Sequence, residues 1–247
     1  MLRSDRQIRL DNSDKTAMIR GRKNKKGEKQ HEQYCTCPTV EKELMQSVKQ
    51  TGFTGEICFL PKYLHNDPNK MRQYLQEKID RLQQIDEALL CVSGCGGSTI
   101  GLKATSAKLV IPRCRDCVDL LLSTGENCEI KRQERGIFLT EGWMNLMKNS
   151  AMSLERMTQN LGREKAEQTL RKIYTGFHNF YLIETGTYDT QPVRDYILPL
   201  VQTVGGTIES TVGEYSLIKK LLSREWEEHF LIVPKGESVT TENFCQK

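Results

Sequence analysis

From residue 34 onward, short runs of β-branched and apolar residues alternate with longer stretches in which apolar residues recur every three or four positions. Runs of the first kind suit strands buried on both faces, and stretches of the second kind pack one stripe against them. The alternation predicts an α/β fold with a mainly parallel, doubly wound sheet. In the first half a strand ends near Cys37, a helix follows over 40–49, and residues 56–60 form the second strand. A helix over 69–84 carries Met71, Leu75, Ile79 and Leu82 on one face. The third strand, 88–92, runs into a glycine-rich turn over 93–99. The fourth, 108–111, stops at Pro112 and leads through Arg113-Cys-Arg-Asp-Cys117 to an apolar helix over 118–122.

After a connector over 125–135 the alternation resumes, with strands over 137–140, 180–184, 207–210 and 230–233 and helices over 153–174, 193–203 and 214–222. The pattern allows one long sheet or two Rossmann-like lobes facing a central crevice, an N-terminal α/β lobe over 34–125 and a C-terminal one over 126–236. Residues 237–247 read as a frayed polar tail.

Hydrophobic residues make up 37% and charged residues 28% of the chain, the balance of a water-soluble globule. No apolar run approaches the roughly 20 residues that span a bilayer, and the N-terminus lacks the apolar centre of a secretory signal. A cytoplasmic protein without a membrane partner is expected. Residues 1–33 hold ten Lys/Arg against five Asp/Glu, more than the whole net charge of +4. A nucleic-acid binder would carry such charge on a folded face beside aromatic residues or a recognisable module. None is visible, so 1–33 is expected to be a basic disordered tail and no nucleic acid is expected as partner. Met18 offers an alternative start.

Nine cysteines in a reducing compartment do not read as a disulfide framework. Cys58 and Cys91, inside apolar runs, suit small core residues. Four other residues occupy equivalent places on successive strands: Cys37 closes the first, His65 follows the second, Cys95 lies in the turn after the third, and Cys117 follows the fourth. Open parallel sheets bind ligands outside the carboxyl ends of their strands, so these four are expected to converge as metal ligands. Three thiolates and an imidazole suit zinc; three thiolates suit a four-iron cluster with one iron left open. The pairs Cys35-Thr-Cys37 and Cys114-Arg-Asp-Cys117 lack the second knuckle of a zinc ribbon, and a thioredoxin-type dithiol belongs in a much shorter chain.

The segment 94–101 holds four glycines, and the backbone of Gly96, Gly97, Ser98 and Thr99 is expected to form an anion-binding nest. It is neither a Walker loop nor G-x-G-x-x-G. Arg113 is expected to clamp a substrate carboxylate or phosphate, and Asp116 to orient His65 or act as a base. A small anionic substrate follows. Trp143 reads as a core anchor, and 184–189 as a segment able to close over the crevice.

These residues also carry a resemblance. Cys37 with Glu43-Leu44, Leu64-His65 with Pro68, Cys95-Gly96 with Thr99 and Gly101-Leu102, Val110-Ile-Pro-Arg113 with Asp116-Cys117, and Gly142-Trp143 together resemble the family catalogued as domain of unknown function 1638. Arg115, Pro38 and the turn Cys-Gly-Gly-Ser depart from that family's usual histidine, glutamate and Cys-Gly-Asn-Gly. The family occurs in anaerobes and methanogens, often beside corrinoid-dependent methyltransferases. The resemblance implies a metal- or iron–sulfur-binding protein of one-carbon or corrinoid metabolism, working with a corrinoid or a corrinoid protein. It is equally compatible with a zinc-dependent methyltransferase in which His65 joins the thiolates, and with a non-catalytic module that binds a corrinoid or a partner. A homo-oligomer fits each of these.

Overall fold

Apolar runs become the inner strands of a six-stranded sheet. The computed structural model describes residues 16–17, 32–124, 130, 132–148, 150–226 and 228–243. Its first strands are β1 (Thr16–Ala17), β2 (Glu32–Thr36), β3 (Glu56–Phe59), β4 (Glu87–Cys91) and β5 (Lys108–Pro112), and the last strand of the chain, β9 (Phe230–Val233), completes the order β1-β3-β2-β4-β5-β9. The four inner strands run parallel, while β1 and β9 lie antiparallel at the edges. Every residue of β4 is buried, as its unbroken apolar run requires of a central strand.

Helices cover both faces. On one, α1 (Glu41–Thr51), α3 (Cys117–Leu122) and α8 (Ser216–Ser223) bury Leu44, Leu120 and Leu217 against Leu89 and Val110. On the other, α2 (Pro68–Asp80) places Met71, Leu75 and Ile79 against Leu90, Leu109 and Ile111. The starts of these helices are written locally: Asp67 accepts from the Lys70 amide with Pro68 following it, and Asp116 accepts from the amides of Val118 and Asp119.

A second, three-stranded parallel sheet joins β6 (Gly136–Leu139), β7 (Asn179–Glu184) and β8 (Thr207–Val212) in sequence order. Between them lie α4 (Glu141–Met147), α5 (Leu154–Leu161), α6 (Arg163–Ile173) and α7 (Gln191–Val204), which bury Met144, Met157, Leu170 and Ile197 with Phe180. The fold is thus mixed α/β with a mostly parallel larger sheet. Among the described residues no helix is long and apolar enough to cross a membrane.

Four expectations change. The helix over 153–174 breaks at Gly162, whose φ of +78° an α-helix cannot hold. The strand over 230–233 leaves the second half of the chain and pairs with β5. The tail after Gly236 is bonded through Val239, which is buried and exchanges backbone hydrogen bonds with Gly101 and Leu102 at 2.8 Å. Within the expected disordered tail, Thr16–Ala17 pairs with Cys58 and Ile57; the basic stretch 20–29 and Met18 lie outside the described residues, as does Cys245.

Candidate functional site

At the carboxyl ends of β2, β4 and β5 the chain turns sharply and each turn carries a cysteine: Cys95 and Cys117 line one cleft, and Cys37 is buried beside it, in contact with Thr39 and His65 of its lining. Cys37 leaves β2 and opens a 3₁₀ turn, Pro38–Val40, whose Thr39 hydroxyl donates to the Cys37 Sγ at 3.2 Å. After β3 the 3₁₀ turn Lys62–Asn66 brings His65 alongside, its Nδ1 3.7 Å from the Cys37 Sγ. Cys95 follows β4 with φ at +32°, a backbone that costs a side-chain-bearing residue on the order of 1 kcal/mol. It is pinned there by its amide, which donates to the Arg115 carbonyl at 2.7 Å. Cys117 is the first residue of α3, directly behind the Asp116 cap.

The cavity that His65, Cys95 and Cys117 line has a volume of about 390 Å³. His65, Cys95, Asp116, Cys117 and Gly96 lie along one part of it, and Met71, Val118, Leu121, Phe138 and Trp143 supply apolar walls. Thr39 and Thr140 lie between, so the second sheet, through β6 and α4, closes the cleft that the first sheet opens. A close approach makes this joint: a Cβ on Gly142 would sit 2.2 Å from the Thr39 carbonyl oxygen.

The thiols feel one another. Burial pushes the Cys37 thiol up, with the Thr39 hydroxyl pulling the other way. Burial, then the neighbouring Cys117, Cys37 and Asp116, hold Cys95 well above the ordinary thiol range. Cys117 is pushed up to about 12 by burial first and Cys37 next. The dipole of a short helix such as α3, worth 0.3–1 kcal/mol, does not offset this. Burial likewise lowers His65, against the pull of Asp116, which leaves a neutral imidazole with a lone pair to give.

The other candidates are placed differently. Asp116 caps α3 and takes a bidentate pair from Arg132 at 2.9 Å, so its carboxylate is already neutralised. Arg113 points to the far edge, where its Nε donates to the Phe230 carbonyl at 3.2 Å and its guanidinium to the Asn243 carbonyl at 2.8 Å. It does not line the cleft. In the glycine turn the amides of Gly97 and Ser98 donate to the Gly94 carbonyl, which takes two of the four groups of the expected nest, and Ser98 and Thr99 are fully buried. Gly96 alone of the four turn residues reaches the cleft; a Cβ there would meet Pro68 Cγ at 2.9 Å. The segment 184–189 turns its Thr185 and Thr187 hydroxyls to the buried Glu43 carboxylate rather than over the thiols.

Sequence reasoning missed Thr39, Phe138 and Arg132, and it gave Trp143 to the core alone. A hydroxyl two residues after a candidate cysteine was the visible signal for Thr39; Arg132 and Phe138 carried none.

The donor chemistry, three thiols and an imidazole, fits a soft metal ion or an iron–sulfur cluster. The side chains are not drawn around a single point: among the described residues no group of three or more His, Cys, Asp or Glu is arranged to hold one metal ion. A family model described as a protein of unknown function (DUF1638) matches residues 59–222, more than half of the chain. No curated protein and no solved structure matches it.

Proposed function

We propose for this chain, which belongs to the DUF1638 family of unknown function, that the cleft is a soft-metal centre held by Cys37, Cys95 and Cys117, with His65 beside them. The observation that carries the reading is that three thiols, distant in sequence, follow the ends of three adjacent parallel strands, with Cys95 and Cys117 lining the cleft and Cys37 buried against its His65. One buried and two half-buried thiols there gain nothing for packing that alanine or valine would not give, and their thiolates are costly without a cation. A metal that replaces the thiol protons removes that cost.

An iron–sulfur cluster is the form we favour, because three thiolates are a ligand set for a four-iron cluster with one iron left open. The group would supply either electron transfer or an open iron for a ligand. The protein's own part is to hold the thiols, keep His65 neutral and wall the cleft with apolar side chains. The Cys37–His65 contact favours the rival form, a zinc ion that activates a thiol acceptor for methyl transfer. Two Rossmann-like lobes facing a central crevice, in a cytoplasmic protein of one-carbon or corrinoid metabolism, are the setting in which we read either form.

Anaerobic purification followed by iron, sulfide and zinc analysis tests the reading. About four iron with sulfide per chain is the expected result, and one zinc per chain selects the rival. A correctly folded protein with neither, after reconstitution with iron and sulfide or with zinc, overturns both.

A further inference from the structure

We infer that the small molecule admitted beside the thiols is neutral and largely apolar, not an anion. The inference rests on reading this cleft as the working site, and it does not depend on which metal is bound there.

Charge decides the point. The cleft has no lysine or arginine among its lining residues, and its one carboxylate is Asp116. The arginines that come near each hold an acceptor of the protein's own, although Arg72 Nε is buried without a hydrogen-bond partner. Arg132 holds Asp116 and Asp119 and lies 5.9 Å from the Phe138 ring. Arg115 holds Asp119 and the Ile130 carbonyl, Arg72 the Gly97 carbonyl, and Arg113 two carbonyls at the other edge of the sheet. In the glycine turn the amides of Cys95, Gly97 and Ser98 donate to the protein's own carbonyls. A carboxylate or phosphate entering would therefore leave water for a site lined by no lysine or arginine, a loss that burial makes larger.

The walls favour what the charges allow. Met71, Val118, Leu121, Phe138 and Trp143 present apolar surface, two of them aromatic. A volume of about 390 Å³ is at the small end of ligand sites. Because Arg132 neutralises Asp116 with two parallel hydrogen bonds, the carboxylate has little attraction left for a cationic ligand. A flat or methyl-bearing neutral molecule fits both the walls and the charge.

Three probes matched in size separate the classes: benzyl alcohol, benzoate and benzylammonium, titrated into the full chain with Trp fluorescence and ligand-observed NMR as readouts. Benzyl alcohol is expected to bind at least about tenfold more tightly than either ion. Trp143→Ala should weaken it about tenfold, and Val118→Lys, which places a cation on the apolar wall, should bring in benzoate. Melting curves identify any variant that fails to fold, and the other variant then decides. Equal or tighter binding of benzoate to the wild-type chain overturns the inference. So does tighter binding of benzylammonium, binding of none of the three, or binding unchanged in both variants. Metal analysis on the same samples keeps the two readings apart: neutral preference without metal leaves this inference standing and sinks the metal centre, and benzoate preference with metal present does the reverse.

Discussion

Nδ1 of His65 lies 3.7 Å from the Sγ of Cys37, although one follows β3 and the other ends β2. Neighbouring parallel strands place their carboxyl ends side by side, so a loop residue after one can meet a terminal residue of the other. The contact joins an imidazole kept neutral by burial, with a lone pair to give, to a thiol kept protonated by burial, which would have to release its proton to become a metal ligand.

If these groups hold a metal, Cys37→Ser, Cys95→Ser and Cys117→Ser should each lose most of it, measured as metal per folded chain. Cys58→Ser, placed in the core behind the cleft, should keep it. His65→Ala separates the two forms: a cluster on three thiols survives, and a zinc ion loses about tenfold or more in affinity. Equal loss in all five variants means unfolding and removes the argument for a site.

Arg113 is expected to matter for stability rather than for ligands. Arg113→Ala removes the donors that tie β5 to the Phe230 and Asn243 carbonyls. The expected cost is about 1–3 kcal/mol, or several degrees in melting temperature, with metal content and probe binding unchanged. A variant that melts normally but discriminates poorly between probes would return Arg113 to the site.

Glu43 gives a pH signature. It is buried, its carboxylate accepts from Thr185 and Thr187, and burial raises its pKa above the ordinary 4.5, with Glu141 acting in the same direction. The charged groups facing it, Glu141 and the raised Tyr188 hydroxyl, offer no countercharge; Lys42 pairs with Glu141 instead. The folded chain keeps this proton after the unfolded chain has released it, so stability falls as pH rises from 4.5 through the raised value. Glu43→Gln keeps the acceptor oxygen and loses the charge. Its melting temperature should match wild type near pH 4 and exceed it at pH 8, by about 1 kcal/mol in stability. The opposite sign would mean that Glu43 is held as an anion.

Gly142→Ala tests the joint between the two sheets. The added Cβ meets backbone at 2.2 Å, which no side-chain rotation relieves. Destabilisation of about 2 kcal/mol is expected, together with weaker binding in the cleft, because Thr39 and Trp143 flank the contact. A neutral outcome would show that α4 can move without disturbing the thiols.

The inner strands were legible because they follow a local rule, apolar runs bounded by turns, and the same alternation set Cys37, Cys95 and Cys117 after the ends of three neighbouring strands. The break at Gly162 was not read, although the apolar phase shifts across it: at roughly 100° per residue Leu170 falls on nearly the opposite side of a continuous helix from Leu154 and Met157. Nor was the partner of Phe230–Val233, whose apolar run suits an edge of either sheet. The role of Arg113 was misread for a similar reason. Its acceptors are main-chain carbonyls, which have no residue-type signature, whereas Asp116 is acidic, near in sequence and bonded to a different arginine.

The return of β9 to β5 also orders events at the ribosome. A nascent chain exposed only as far as α8 has made β2 to β5 and the whole of the smaller sheet, yet the outer edge of β5 has no neighbour and Arg113 has neither carbonyl. The backbone groups of Leu109 and Ile111 stay open to other strands until β9 has emerged. The part of the protein begun first is finished last. Premature termination anywhere upstream of residue 230 should therefore yield a sticky product, not a smaller working one.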